Sequence, residues 1–112
     1  MAKSRRASVC SFSKNVKQEI YDRDDGRCIF CGTTNQLTYM HFVARSRQGL
    51  GIVQNGALGC RLCHTTLDNP IGKKENIKSK EMKLYFTNYL NGFYPTFSDK
   101  ERKYEKWNLS KK

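Results

Sequence analysis

Four cysteines, two histidines and one asparagine are the residues of this chain whose types and spacing could do chemistry together. Cys28-Ile29-Phe30-Cys31 and Cys60-Arg61-Leu62-Cys63-His64 are two Cys-x-x-Cys pairs, with 28 residues between the inner cysteines. Two such pairs present four thiolates in two turn-sized claws, the donor set of a tetrahedral structural Zn²⁺. Four sulfurs close the coordination sphere, so a zinc ion on Cys28, Cys31, Cys60 and Cys63 is expected to hold structure and to leave no open position for a reaction. Any chemistry then falls to what the claws enclose or adjoin: His41, Asn55 and His64. A lone histidine is usually an ordinary surface or core group. The placement of these two, relative to the claws and to Asn55, is what sets them apart.

The elements that must position these residues can be read from pattern. Ser13 is a fit N-cap for a helix running to Asp24, with Val16 and Ile20 spaced for one face, and Asp24-Asp25-Gly26 ends it in a turn. Leu37 to Val43 reads as a strand from its β-branched and aromatic content, and His41 falls at its end. Ala44 to Gln54 carries Ser46, Gly49 and Gly51 with Arg45 and Arg47, and reads as a basic loop suited to holding phosphate. Gly56 to Cys60 is a short second strand preceded by Asn55, and a helix from Arg61 to about Leu67 carries His64 before Asn69-Pro70 ends it. Residues 71–80 read as a polar linker or helix lead-in. Met82, Tyr85, Phe86, Tyr89 and Leu90 then form one apolar helical stripe. Ser98-Asp99-Lys100-Glu101 has the form of a capping box, predicting a last short helix with Tyr104 and Trp107 on one face.

At 112 residues and 38% hydrophobic content the chain predicts one α+β domain with a thin core, which a metal staple would reinforce. We expect residues 1–12 to be a flexible basic arm and residues 13–109 a single domain, with a zinc-framed core at about 27–69 and a helical cover at about 78–109. Lys+Arg exceed Asp+Glu by 21 to 10, a formal charge of +11, and about +9 remains once four thiolates hold a zinc ion. This excess points to a polyanion such as nucleic acid as partner. No apolar run is long enough for a membrane span or a signal peptide, so a soluble, non-membrane, unsecreted protein is expected. Cysteines used in metal claws also suit a reducing compartment. Cys10, in a Ser-rich lead, is assigned no role.

The order His41, Asn55, His64 inside a Cys-x-x-Cys…Cys-x-x-Cys-His frame resembles the HNH endonuclease family. The matching residues include Asp24-Asp25-Gly26-Arg27-Cys28, His41 followed by Arg45-Ser46-Arg47, Gly49-Leu50-Gly51-Ile52, Asn55, and Cys60 to Asn69. The tail from Tyr89 to Trp107 is similar to small phage and prophage members. The resemblance implies a ββα-metal core, also called a His-Me finger, flanked by N- and C-terminal helices. It further implies metal-dependent nicking or cleavage of double-stranded DNA in the cytoplasm of a bacterial host, with a phage terminase as candidate partner. By analogy, His41 would be the general base, Asn55 would hold the loop and orient His41, and His64 would bind one catalytic divalent cation, Mg²⁺, Mn²⁺ or Ni²⁺. Arg45 and Arg47 would contact phosphate.

Two positions depart from the family pattern. Met40 stands where an aspartate or histidine usually completes the catalytic metal site, and a thioether is a poor ligand for Mg²⁺ or Mn²⁺. Asp68, at i+4 from His64, could share the ion; its alternative role is to cap or solvate the helix end. Gln48 replaces a usual glycine. Met40 also favours a rival reading, a catalytically weakened HNH-like module that binds DNA or a protein such as a component of a host defence system. A zinc ribbon of a transcription or translation complex would explain the cysteines and charge but not the His-Asn-His order.

Overall fold

The computed structural model describes residues 9–104 of the chain. It is a small α+β domain in which a two-stranded antiparallel sheet is packed among three helices. Helix α1 is Lys14–Arg23, strand β1 is Leu37–His41, strand β2 is Gly56–Cys60, helix α2 is Arg61–Asp68 and helix α3 is Gly72–Phe93. Trp107, and Lys3, Arg5 and Arg6 of the basic arm, lie outside the described residues.

Helix α1 starts at the expected cap, where Ser13 Oγ accepts from Val16 N. Its C-terminal end does more than stop in a turn. Asp24 is buried and its Oδ2 accepts from Leu58 N of β2, while Tyr89 of α3 donates its hydroxyl to Asp24 Oδ1. Arg23 donates to the carbonyls of Val53 and Gly56 and pairs with Asp24. One ion pair thus ties α1, β2 and α3 together.

The strands pair with His41 opposite Gly56, Met40 opposite Ala57 and Leu37 opposite Cys60. Strand β2, with the sequence Gly-Ala-Leu-Gly-Cys, is buried along its whole length. Strand β1 ends at His41, two residues short of the expected Val43. The side chain of Asn55 takes the partner strand's place there: its Oδ1 accepts from Val43 N at 2.8 Å and its Nδ2 donates to Val43 O at 3.1 Å.

Met40 is fully buried in a core with Ala57, Leu67, Met82, Phe86 and Leu90. A methyl group built on Gly59 would lie 2.2 Å from Met40 Sδ, so glycine there is what leaves room for the thioether. Helix α3 packs on α2 and supplies the last three of those core residues. It begins at Gly72, so of the two readings of residues 71–80 it is the helix lead-in that holds.

Among the described residues, the predicted last helix is reduced to a single turn. The capping box is present, with Ser98 N bonded to Glu101 Oε1 and Glu101 N to Ser98 Oγ, but it closes only a 3-10 turn at Lys100–Arg102. Lys103 then pairs with Gly49 as an antiparallel bridge. The buried guanidinium of Arg102 donates to Gln54 O and Asp99 Oδ1 and lies over the rings of Phe42 and Phe97. Ordering the loop 44–54 draws this segment out of helical geometry.

Candidate functional site

The four claw sulfurs lie within 4.8 Å of one another. Cys31 Sγ and Cys60 Sγ are 3.7 Å apart, close to the ~3.8 Å edge of a tetrahedron with zinc–sulfur bonds of about 2.3 Å. Backbone N–H groups point at two of them: Phe30 N at Cys28 Sγ and Cys63 N at Cys60 Sγ, both at 3.4 Å. Cys60 is also the N-cap of α2, so one sulfur serves the helix and the metal site together. Without a cation the sulfurs titrate unequally. Burial pushes the Cys28 thiol up, but the N–H groups of Cys31, Cys60 and Phe30 outweigh it and bring it to about 7. Burial and the neighbouring sulfurs push Cys63 well up. A divalent cation removes this competition by neutralising thiolates held side by side. The quartet therefore fits a structural metal.

Strand β2 delivers the chain into α2, which turns back along β1. This return brings His64 beside Thr38. The Thr38 hydroxyl has one hydrogen and donates it to Gly59 O at 2.7 Å, so it accepts from His64 Nδ1 at 2.9 Å. His64 Nε2 then faces Asp68 Oδ2 at 2.9 Å, one helical turn on. A nitrogen and a carboxylate oxygen held in this way can share a proton or a cation. Asp68 is thus placed with His64 as its i+4 spacing predicts.

His41 is fixed the opposite way round. Its Nε2 lies 2.7 Å from the Cys10 carbonyl, which can only accept, so Nε2 carries the proton and Nδ1 the free electron pair of the neutral ring. Phe12 stacks on this ring with centroids 4.1 Å apart and planes 23° from parallel. Burial holds the His41 pKa below its ordinary 6.5, aided by the charges of Arg45 and His64, against the raising effects of the Cys10 carbonyl and Asp68.

His41, His64, Asp68, Arg45 and Lys17 line one open cleft of about 630 Å³. A second cleft of about 560 Å³ shares His41 and Asp68 with it and is edged by Arg47, Lys83 and Lys103. Arg45 and Arg47, on a 3-10 turn, thus face different clefts. Asn55 lines neither. Fully buried, it bonds Val43 N, Val43 O and Leu50 O, and so fixes the loop that follows His41. Met40 points into the core and offers nothing to either cleft. Gln48 adopts the left-handed region at φ 66°, which glycine would occupy without strain.

Sequence reasoning missed Thr38, Lys17 and the segment 9–12. Strand alternation puts Thr38 on the same face as Met40, opposite a helix carrying a histidine, and this was a usable sign. Val9, Cys10 and Phe12 are apolar residues in a supposedly free arm; Cys10 is in fact buried. Compared with protein-family models, curated proteins and solved structures, the chain matches none of them.

Proposed function

We propose that this chain is a small zinc-framed HNH endonuclease that hydrolyses DNA phosphodiester bonds with the help of one divalent cation. The observation that carries the reading is the pairing in one cleft of a histidine with a free Nδ1, His41, and a histidine–carboxylate pair, His64 and Asp68. The strand–strand–helix order of β1, β2 and α2 supports a ββα-metal core.

Hydrolysis needs a base for the attacking water and positive charge for the phosphoryl oxygens. His41 Nδ1 takes the water proton, and its lowered pKa keeps it neutral for that task at neutral pH. His64 Nε2 and Asp68 are the residues that would hold Mg²⁺, Mn²⁺ or Ni²⁺, whose charge would stabilise the phosphoryl and leaving oxygens. The two donors differ in softness from an all-oxygen set, and Asp68 supplies the oxygen that Mg²⁺ and Mn²⁺ prefer. Thr38 orients His64, Asn55 orients the loop, and Arg45 in the cleft and Arg47 beside it contact phosphate. In a phage setting the partner fitting such an enzyme is a terminase, and its place is the bacterial cytoplasm.

Zinc-loaded protein should relax supercoiled plasmid with at least one of Mg²⁺, Mn²⁺ and Ni²⁺ and not in EDTA. Replacing Asp68 by Asn should raise the cation concentration for half-maximal rate by about 10- to 100-fold. A folded protein inert with every cation would refute the enzyme. One observation favours the rival, a weakened HNH-like module binding DNA or a protein. Met40 is locked in the core, so among the described residues His64 and Asp68 are left as the ligands of the second cation. DNA binding without cleavage is the outcome expected of that module.

A further inference from the structure

The segment ahead of α1 is built into the site. Gly51 N donates to Val9 O at 2.9 Å, and a methyl group on Gly51 would stand 2.2 Å from Ser11 O, so the loop and the segment touch backbone to backbone. Gly56 is the cross-strand partner of His41. A methyl group there would meet Phe12 Cζ at 2.6 Å and Ile20 Cδ1 at 2.7 Å. The missing side chain opposite His41 is therefore the seat of the Phe12 ring, which covers the imidazole. Seated in this way, the chain presents the Cys10 carbonyl to His41 Nε2.

We propose that residues 9–12 are a positioning element of the active site: the Cys10 carbonyl and the Phe12 ring hold His41 as its Nε2–H tautomer and aim Nδ1 into the cleft. The tautomer is a property of the protein alone; only its catalytic consequence rests on the nuclease reading. In the other tautomer Nδ1 carries the proton and cannot accept one from water. With the segment displaced, nothing among the described contacts selects between the two. Phe12 acts through His41 and touches no reacting atom.

The test is nitrogen-15 NMR of the two histidines in zinc-loaded full-length protein, at a pH where His41 is neutral. His64→Asn assigns the signals. The proton of neutral His41 should be on Nε2; a proton on Nδ1 in the wild-type protein overturns the proposal, whatever the variants do. In Phe12→Ala and Gly51→Ala, His41 should become a mixture of tautomers while the His64 signal and zinc content stay unchanged. Cleavage should fall about 10- to 100-fold, as expected when a catalytic group loses its aim. Phe12→Tyr, which keeps the ring, should restore both the tautomer and the rate. An unchanged Nε2–H signal in both alanine variants would also overturn the proposal. A wild-type protein that cleaves nothing yet shows the Nε2–H signal sinks the nuclease reading and leaves the positioning intact.

Discussion

In the proposed mechanism the two ring nitrogens of His41 have separate tasks, and this fixes how the rate should respond to pH. A base works in its neutral form, so cleavage rises as pH climbs through the His41 pKa and then levels off. Burial and the charges of Arg45 and His64 keep that pKa below 6.5, so the midpoint of the rise should fall below pH 6.5 and the plateau be all but complete by about pH 7.5. A bound divalent cation moves the plateau lower still. The profile is read from initial nicking rates at constant ionic strength; a rate still climbing steeply between pH 7 and 8 would exclude His41 as the base. At Asn55 the effect is on folding. Asn55→Ala strands the Val43 and Leu50 backbone groups in a buried site, a loss of about 2–4 kcal/mol. Urea denaturation measures it.

Among the elements, α2 depends most on metal. Cys60 caps it, Cys63 lies in its first turn and His64 follows, so losing a metal ion held by the quartet would remove the helix start and the histidine's support together. Cys60→Ser should lose bound zinc, helical circular dichroism and cleavage at once. Cys10→Ser should keep one zinc per chain, since Cys10 is buried away from the quartet. Helix α2 was legible beforehand, as were α1 and β2, because each has its signal in its own residues: the Ser13 cap, the Cys60-x-x-Cys63 claw and the Asn69-Pro70 stop. What escaped was set by distant partners. The start of α3 carries exposed Ile77 and a single buried residue, Ser79, which bonds Leu67 O, so its first turns show no stripe. The end of β1 is cut by the Asn55 side chain, and the strap at Lys100–Tyr104 by pairing with residues 48–50. The quartet and the His64–Asp68 pairing could be foreseen from spacing alone. The Cys10–His41 contact could not, because it brings back a residue 31 positions away, from a lead read as a free arm, and the Thr38–His64 contact, across 26 positions, left only the strand alternation as a sign.

Over the whole molecule, charge decides how a polyanion would lie. The net charge is +11, and among the described residues no helix is long and apolar enough to cross a membrane. The two clefts meet at His41 and Asp68, with Lys17 and Arg45 on one side and Arg47, Lys83 and Lys103 on the other. A nucleic-acid strand crossing the site would meet cations on both flanks. Replacing Lys83 and Lys103 by Ala should therefore lower the slope of log affinity against log salt for a DNA duplex by about 2. The same change at Lys78 and Lys80, which line neither cleft, should leave the slope near wild type. Equal losses from the two pairs would mean diffuse attraction without a track.

The measurement that bears most directly on the site is plasmid nicking by His41→Ala beside wild type, with zinc content determined on both. We expect the variant to hold its zinc and to bind DNA as wild type does, while its rate drops by about 10²- to 10⁴-fold. A variant that nicks as fast as wild type would contradict the assignment of His41 as the base, and with it the proposed mechanism.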